Sequence, residues 1–242
     1  MRTALVTGAG RGIGAATARE LGRRGLHVVV NYRSNKASAD QVVRDIENAG
    51  GTAMAVAADV TDARQAADLV AGCGRLDALI CNANIQPSFE PIAQLSWEVF
   101  IDSVAAELAA AFHVTKAALP ILGRGSHVVY VSSVAADTFI KGGAVLSTKK
   151  AALDAFARQV AVEAGPEGIA VNIVAPGAVR TDASAAILTP EIVAERAGRS
   201  VLGRILEPTD VGALVGALAA GELPGLAGVR VPIDGGYRLI AS

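Results

Sequence analysis

A glycine-rich segment stands between the first apolar run of the chain and the first stretch with helical periodicity. Residues 4–6 predict a short buried strand, and the chain continues as Thr7-Gly-Ala-Gly-Arg-Gly-Ile-Gly14. Glycines let backbone N–H groups approach a pyrophosphate, and the positive end of a following helix favours its charge. The order of strand, glycine loop and helix therefore predicts a nucleotide-phosphate site, with a simple structural turn as the alternative. We place its contacts at Thr7, Gly8, Arg11, Gly12, Ile13 and Gly14.

The rest of the chain alternates short apolar runs with segments of helical periodicity. No linker rich in Pro, Gly or Ser and no internal repeat divides it. About seven strands alternating with six helices predict one doubly wound parallel sheet with helices on both faces, a Rossmann-type α/β fold in a single domain over residues 1–242. The alanine-rich segment at about 182–207 predicts a mobile substrate lid or a pair of substrate-loop helices. The predicted strands lie at 4–6, 27–32, 53–57, 78–81, 127–131, 170–174 and 228–233, and the later helices lie near 38–49, 63–71, 97–119, 150–163 and 210–220.

Composition and charge exclude several classes of function. The formal net charge is −1, so no bulk attraction to nucleic acid or to anionic membranes is expected. The two cysteines and three scattered histidines give neither a disulfide framework nor metal-ligand spacing, so we predict no metal site. No apolar run reaches the roughly 18–20 residues of a membrane span. The glycine loop also begins too early for a signal peptide, and we therefore expect a cytoplasmic protein.

The end of the second predicted strand carries residues that fit a phosphorylated ribose. A dinucleotide fold that prefers NAD usually has an acidic residue here, which binds the ribose 2′-OH. This chain has Arg33 and Ser34 instead, with Arg11 expected nearby, and these groups suit a 2′-phosphate. The alternative is an ordinary solvated basic turn. The sequence therefore predicts NADP(H) rather than NAD(H).

Two further strand ends carry residues of interest. Asp59 comes just past the third strand, where ligands bind in open α/β sheets, and is suited to accept a hydrogen bond from an adenine amine. Pro176 and Gly177 predict a fixed backbone bend beside the same crevice.

The fifth strand and the helix after it carry reactive groups. The strand ends in Ser132-Ser133, a glycine turn follows, and Lys149-Lys150 stand at the predicted start of the helix. A hydroxyl at a strand end and an ammonium on the next helix can converge on one reacting centre. No tyrosine lies between them.

Together these residues resemble a short-chain dehydrogenase/reductase, and most of all a β-ketoacyl-ACP reductase, over essentially the whole chain. The resemblance implies that a serine, a tyrosine and a lysine act on a carbonyl while a nicotinamide cofactor delivers hydride. It also implies an asparagine on the long helix that orders water near the lysine, and assembly through the two long helices. The matching residues are Thr7, Gly8, Gly12, Gly14, Asp59, Val60, Asn82, Ala83, Ser133, Lys150, Pro176, Gly177, Thr181, Asp234, Gly235 and Gly236. By the resemblance, Val60, Asn82, Ala83, Lys150, Pro176, Gly177 and Thr181 join the cofactor site.

Three positions depart from the family's pattern. The tyrosine position, four residues before Lys150, is Leu146, and the asparagine position is Glu107. Asn84 stands where the family has a glycine that faces the cofactor. Losing a positioned acid lowers a rate by about 10²–10⁴-fold, and leucine cannot donate a proton. The catalytic candidates are therefore Ser133, Lys150 and Glu107, with Glu107 either a substitute acid–base or a counter-ion for the lysine.

Three hypotheses about function remain open. The chain is an NADP(H)-binding enzyme that acts on a small-molecule or carrier-bound acyl or polyketide-like substrate without the tyrosine, by reduction with a substitute acid or by cyclisation, dehydration or isomerisation. Alternatively, it is the non-catalytic subunit of a hetero-oligomer with an active paralogue, rather than a homotetramer. The third hypothesis is a nucleotide-sensing or structural protein.

Overall fold

A single parallel sheet organises the computed structural model, which describes residues 1–182, 184 and 188–240, with the backbone alone for residue 240. Its strands are β1 (Thr3–Val6), β2 (His27–Tyr32), β3 (Thr52–Ala57), β4 (Leu76–Cys81), β5 (Leu122–Val131), β6 (Ala170–Pro176) and β7 (Arg230–Ile233). They lie in the order β3-β2-β1-β4-β5-β6-β7, and every neighbouring pair is parallel. The predicted seven-stranded Rossmann-type sheet is confirmed.

Helices connect the strands and begin where the sequence offers suitable caps. Asn35, Asp62 and Ser96 each accept a hydrogen bond from a backbone N–H of the helix that follows. In the part of the chain that the structure describes, the α-helices are α1 (Gly12–Arg23), α2 (Lys36–Asn48), α3 (Ala63–Ala71), α4 (Trp97–Ala118), α5 (Ala144–Ala164), α6 (Pro190–Gly198), α7 (Pro208–Ala220) and α8 (Tyr237–Ile240).

Both faces of the sheet are covered, as a doubly wound fold requires. On one face α3, α4 and α5 pack around a core that includes Leu79, Val128 and Tyr130. On the other face α1, α2 and α7 pack around Val6 and Val28. Because the central strands are buried on both sides, they are mostly apolar rather than alternating, and polar residues within them such as Asp77 and Asn172 are buried too.

The strand order reverses beside β1, and this reversal positions the site. β1 pairs with β2 on one side and with β4 on the other. Connections leaving β1 and β4 therefore diverge to opposite faces and open a crevice at the carboxyl edge of the sheet, where ligands bind in folds of this type. The predicted glycine loop follows β1 at this point.

Two predicted boundaries were wrong. α5 begins at Ala144 rather than at residue 150, so Leu146, Lys149 and Lys150 all lie within its first two turns. The added turns include Val145 and Thr148, whose β-branched side chains lower helix propensity, so propensity does not mark this earlier start. β5 begins at Leu122 rather than at residue 127. The sequence did not predict its first half, because residues 123–125 are Gly, Arg and Gly and are exposed, so they do not form an apolar run.

The segment predicted as a lid or a helix pair contains one helix among its described residues and, near its end, a strand-like bridge that the sequence did not predict. It includes α6, and Leu206 near its end forms a parallel bridge with Val179. Residues 183 and 185–187 of this segment lie outside the described residues. Its role as a substrate lid stays a prediction.

The long helix α4 is more apolar than the sequence analysis recognised. Together with the short turn after it, Trp97–Ile121 is long enough to cross a membrane by length and composition, and its most apolar 18-residue stretch has a mean hydropathy of 1.3. Asp102, Glu107 and Lys116 interrupt the segment, so a search for continuous apolar runs does not detect it. One such helix is weak support for a membrane protein, since the core helix of a globular fold passes the same test, and α4 packs against α3, α5 and β4.

Candidate active site

The ends of β1 and β4 are joined by the side chain of Thr7. Its hydroxyl donates to the carbonyl of Ile80 at 3.2 Å and accepts from the backbone N–H groups of Asn82 and Ala83 at 2.9 and 3.0 Å. The Asn82 amide donates in return to the carbonyls of Thr7 and Gly8 at 2.9 and 3.2 Å. Four of the predicted cofactor residues are therefore held in one corner of the crevice.

Gly8, Gly12 and Gly14 occupy positions of the loop where a side chain would strain the backbone or collide with a neighbouring residue. Gly8 and Gly12 have φ values of 62° and 55°, which suit glycine. A Cβ atom on Gly14 would lie 2.5 Å from Asn82 Nδ2. A Cβ atom on Gly12 would lie 3.3 Å from Thr181 Cγ2, so Thr181 contacts the loop as predicted. The bare backbone leaves room for a pyrophosphate.

The first turn of α1 offers donors to that anion. Its N-cap, Arg11, is extended and makes no capping bond with its side chain, and the first turn contains no acidic residue. The N–H groups at the start of a helix lack partners within the helix and bind anions well. Ile13, half-buried, belongs to the same turn. These residues fit the phosphates of a dinucleotide.

Basic side chains follow β2 next to the glycine loop. Arg33, Ser34 and Arg11 are all exposed. A Cβ atom on Gly10 would lie 3.8 Å from Tyr32 Cβ, so the loop and the end of β2 are in contact. Among the described residues, no ion pair includes Arg11 or Arg33. Both guanidinium groups are therefore available to a phosphate.

Asp59 and Val60 follow β3 at the same edge. The Asp59 carboxylate accepts from the backbone N–H and the hydroxyl of Thr61 at 3.0 and 2.7 Å. These bonds, with a smaller contribution from Arg33, hold the pKa of this carboxyl below its ordinary value. Asp59 is thus an ionised acceptor, which fits a contact with an adenine amine, and Val60 is buried beside it.

Ser133 lies where β5 and β6 end. Its hydroxyl accepts from the backbone N–H of Ala135 at 3.1 Å and donates to the carbonyl of Pro176 at 3.5 Å. Gly177 comes next, and a Cβ atom there would lie 2.8 Å from Asp234 Cβ. The predicted bend at Pro176 and Gly177 therefore brings the end of β6 against the segment after β7 and beside the serine.

Glu107 of α4 is buried between two lysines of α5. Its Oε1 accepts from Lys150 Nζ at 2.6 Å, and its Oε2 accepts from Lys149 Nζ at 3.0 Å and from the backbone N–H of Ile85 at 3.1 Å. Lys150 Nζ also donates to the carbonyl of Val131, next to the strand end that carries the serine, at 3.2 Å. The structure thus brings Lys150 and Glu107 together, as the sequence predicted for a carboxylate near this lysine.

Electrostatics keep Glu107 ionised. Burial alone would raise the pKa of its carboxyl, but the two lysines and the bond from Ile85 outweigh burial and lower it below its ordinary value. Burial also lowers the pKa of the Lys149 ammonium, and Glu107 opposes that shift. An ionised carboxylate accepts protons and hydrogen bonds, so this geometry fits a counter-ion for the lysines better than a proton donor at neutral pH.

Leu146 is half-buried in the first turn of α5, one turn before Lys150. Tyr130, on the neighbouring strand β5, does not replace the missing phenol. Its hydroxyl bonds to Thr115 Oγ1 at 2.7 Å within the core, and burial raises its pKa well above the ordinary value. Of the predicted catalytic groups at this edge, Ser133 offers a hydroxyl and Lys150 an ammonium.

Sequence reasoning missed the structural role of Lys149. Val145, Lys149 and Leu153 recur every four residues and are all buried, so this lysine lies on the core-facing stripe of α5. A lysine on an otherwise apolar stripe indicates a buried counter-charge, and this signal could have paired it with Glu107. Asn84 is the second group that was missed, since its Oδ1 accepts from Lys149 Nζ at 3.3 Å.

Arg230 of β7 is a further residue that the sequence did not reveal. Its guanidinium donates to the carbonyl of Ser133 at 2.8 Å and pairs with Asp154 of α5 at 2.7 Å and with Asp137 at 3.0 Å. Its bond to the Ser133 carbonyl therefore helps to fix the backbone at the serine. Among the described residues, no cluster of His, Cys, Asp and Glu side chains suits a metal ion.

Comparisons with known proteins identify the family of the chain. Residues 8–238 match the family model described as enoyl-(acyl carrier protein) reductase. An uncharacterised oxidoreductase of Methylorubrum extorquens is 38% identical, with 98% of each chain covered. Versicolorin reductase 1 of Dothistroma septosporum is also 38% identical, over 97% of this chain and 95% of that protein.

A solved structure extends the likeness to the fold. A promiscuous reductase that catalyses keto-reduction at C1 during lugdunomycin biosynthesis superimposes with a TM-score of 0.91 at 32% identity, covering 98% of this chain and 97% of that one. The match of nearly the whole sequence to the family model and the close agreement in fold lead to one conclusion. The chain belongs to the short-chain dehydrogenase/reductase superfamily, whose Rossmann domain binds NAD(P)(H).

Proposed function

We propose that the chain is an NADP(H)-binding reductase of ketoreductase type, active in biosynthesis, whose reaction proceeds without a tyrosine acid. The observation that carries this proposal is the buried contact of 2.6 Å between Glu107 and Lys150 at the catalytic edge of an otherwise complete cofactor cradle. A chain that had simply lost its function would have no need to keep a buried lysine paired there. Versicolorin reductase 1 and the reductase of lugdunomycin biosynthesis, both similar to this chain, support a small-molecule or carrier-bound acyl or polyketide-like substrate.

The choice of NADP(H) rests on Arg11, Arg33 and Ser34. Their exposed side chains lie beside the glycine loop at the end of β2, where a ribose 2′-phosphate would be bound. Arginine suits a phosphate because its planar guanidinium presents paired donors. Thr7, Gly12, Gly14 and the first turn of α1 would hold the pyrophosphate.

In the proposed reaction the bound cofactor supplies hydride to a polarised carbonyl. Ser133 Oγ–H donates a hydrogen bond to the carbonyl oxygen, and the Lys150 ammonium stabilises the negative charge that develops there. Glu107 acts as the counter-ion that holds Lys150 in place. The proton reaches the product oxygen from Ser133, from Lys150 or from water, and none of these is as well matched a donor as a positioned phenol.

The test uses NADPH oxidation with a panel of ketones, quinones and acyl thioesters. The proposal predicts turnover that falls by at least about tenfold in both Lys150→Met and Ser133→Ala, because each removes a group that stabilises the developing charge. Arg158→Met, on the outer part of α5, is the matched control and should keep the wild-type rate. Turnover that survives both active-site substitutions contradicts the roles assigned to Ser133 and Lys150, whereas product formation without nucleotide oxidation contradicts a reductase. The latter result would indicate the cyclisation, dehydration or isomerisation chemistry instead.

A second function, as the non-catalytic partner of an active paralogue, is favoured by a different observation. The outer faces of α4 and α5 expose Trp97, Val99, Phe112 and Val162, with exposed fractions of 65, 43, 45 and 71%. A surface this apolar suits a subunit interface. Co-expression with a paralogue that has serine, tyrosine and lysine in place would yield a stable mixed oligomer under this alternative. A homotetramer that excludes the paralogue argues against it.

The remaining alternative, a nucleotide sensor, predicts NADPH binding with no effect of any substrate.

A further inference from the structure

Three side chains from three different elements meet at the nicotinamide end of the proposed cofactor site. Asn84 follows β4, Glu107 lies on α4 and Lys149 lies on α5. Lys149 Nζ donates to Glu107 Oε2 at 3.0 Å, to Asn84 Oδ1 at 3.3 Å and to the carbonyl oxygen of Ile85. Two of these positions, 84 and 107, are among those at which the sequence departs from its family.

Both backbone groups of Ile85 depend on this cluster. The N–H donates to Glu107 Oε2 at 3.1 Å, and the C=O accepts from Lys149. The segment between β4 and α4 belongs to neither a helix nor a strand, so it has no ladder of backbone bonds of its own. An ion pair between two helices therefore fixes this stretch of backbone.

Among the described residues, Lys149 forms its one ion pair with Glu107, so its buried charge depends on that carboxylate, whereas Glu107 is also paired with Lys150. The side chains of Lys149 and Glu107 have exposed fractions of 0 and 1%. A buried charge that has lost its partner is strongly destabilising, because the desolvation cost is no longer offset. Lys150 cannot replace Lys149 in this role, since it contacts the other carboxylate oxygen and the carbonyl of Val131.

The backbone that is held in this way leads from the glycine loop toward Lys150. Asn82 and Ala83 are fixed by Thr7, and Asn84 and Ile85 come directly after them. We propose that Lys149 is a positioning residue: with Glu107 and Asn84 it forms a clamp that sets the position of the 84–85 backbone where the nicotinamide half of the cofactor would lie. The clamp itself is a property of the free protein, and only its effect on the cofactor rests on the proposed NADP(H) binding.

The first test measures hydrogen exchange of the Ile85 amide in the free protein. Lys149→Met should speed this exchange by about tenfold or more while leaving β1 amides unchanged, because only the clamp protects Ile85. Arg24→Met is the matched control, since Arg24 is a largely buried arginine paired with Glu20 and Glu222 at the far end of α1. An Ile85 amide that exchanges at the same rate in wild type and Lys149→Met, or equally fast in Arg24→Met, overturns the clamp.

The second test separates positioning from general loss of stability. Adenosine 2′,5′-bisphosphate contains the adenosine and the 2′-phosphate but no nicotinamide. The clamp predicts that Lys149→Met weakens NADPH binding about tenfold or more while the affinity for adenosine 2′,5′-bisphosphate stays unchanged, and that Arg24→Met alters neither. Equal weakening of both ligands by Lys149→Met overturns the positioning role. If neither ligand binds the wild type, the proposed cofactor is wrong, whereas the exchange test still decides the clamp.

A third measurement tests whether the effect of removing Lys149 on the melting temperature depends on the presence of Glu107. Lys149→Met should lower the melting temperature of the wild type. The same substitution made in Glu107→Gln should leave the melting temperature unchanged or raise it, because it removes a lysine that has lost its counter-charge. An equal decrease in both backgrounds contradicts this dependence.

Discussion

Leu146 occupies the first turn of α5, four residues before a lysine that remains paired and buried. The neighbouring residues are not those of a tyrosine-dependent site from which one side chain is missing. Glu107 contacts Lys150 directly, and Asn84 is engaged by Lys149. At the scale of single residues, we propose that the nicotinamide end has been rebuilt around the Glu107 carboxylate.

This rebuilding predicts that Leu146→Tyr alone does not restore efficient ketone reduction. A phenol at 146 would face a lysine whose charge is already engaged by Glu107, so its pKa would be lowered less than beside an unpaired lysine. We expect the rate of the single variant to stay at least about 10²-fold below that of a tyrosine-dependent relative under the same assay. Robust reduction by Leu146→Tyr, measured as NADPH oxidation with a simple ketone, would contradict this view of the site.

Glu107 also makes a prediction about stability. Glu107→Gln leaves two buried lysines without a counter-charge, and we expect the free energy of unfolding to fall by about 3 kcal/mol or more. The exposed pair of Lys36 and Asp40 provides the control, because Asp40→Asn should cost less than about 1 kcal/mol. Chemical denaturation of the two variants gives both values, and a loss in Glu107→Gln no greater than in Asp40→Asn would count against a buried network.

The pH dependence of stability follows from the same group. The pKa of Glu107 is lowered in the folded protein below its ordinary value of 4.5. Its contribution is therefore fully present above pH 4.5 and is lost as the pH falls through the lower folded value. Wild-type stability should decline more steeply below that pH than the stability of Glu107→Gln, as measured by thermal melts between pH 3 and 7 (about the range in which carboxyl groups titrate). Parallel declines would contradict a paired carboxylate.

At the scale of elements, the glycine loop and α1 form a close-packed unit with the ends of β1 and β4. A Cβ atom on Gly14 would lie 2.5 Å from both Asn82 Nδ2 and the carbonyl oxygen of Gly8. Gly14→Ala should therefore displace the loop, lower stability by about 1–3 kcal/mol and abolish measurable nucleotide binding. Gly72→Ala, where a Cβ atom meets nothing closer than 3.5 Å, is the control and should be neutral. Calorimetry of both variants checks the prediction, which fails if Gly14→Ala binds nucleotide like the wild type.

The sequence predicted the elements best where a strand ends in a residue with a distinctive role. The glycine loop after β1, Asp59 after β3 and the Pro176 bend after β6 lie at strand ends as predicted, and the alternation of strands and helices predicted the parallel sheet. Helix starts were harder to predict. Residues 144–149 are helical, yet neither a capping side chain nor an apolar stripe marks the start of α5.

The network at Glu107 could be predicted only in part. The alignment of Lys150 with the family lysine placed Glu107 near it. Other contacts cannot be predicted from separation along the chain, since Asn82 bonds to Gly8 and Thr7, which are 74 and 75 residues away. The contact of Lys149 with Asn84 depends on where two helices and a loop pack against each other. Packing of this kind is set by the whole core rather than by a local pattern.

At the scale of the whole molecule, α4 and α5 present an apolar surface on the outside of a complete domain. Phe112 of α4 is 45% exposed and packs against Phe156 of α5, with ring centroids 6.0 Å apart. We predict that this surface mediates assembly of the chain into oligomers, whether with itself or with a paralogue. Phe112→Asp should therefore shift the sedimentation profile toward smaller species.

Phe139 supplies the control for assembly, because it is 78% exposed but lies outside α4 and α5. Phe139→Asp should leave the sedimentation profile unchanged. A wild-type protein that sediments as a monomer, or an equal effect of the two substitutions, would remove the case for an interface on these helices.

The central claim is that the adenosine and phosphate half of the cofactor site is intact and selects NADP(H). Isothermal titration of the wild-type protein with NADPH and with NADH tests it most directly. Arg11, Arg33 and Ser34 should make NADPH bind at least about tenfold more tightly, since a paired arginine–phosphate contact contributes more than the roughly 1.4 kcal/mol that this ratio represents. Absence of binding by either nucleotide, or equal affinity for both, would contradict the account.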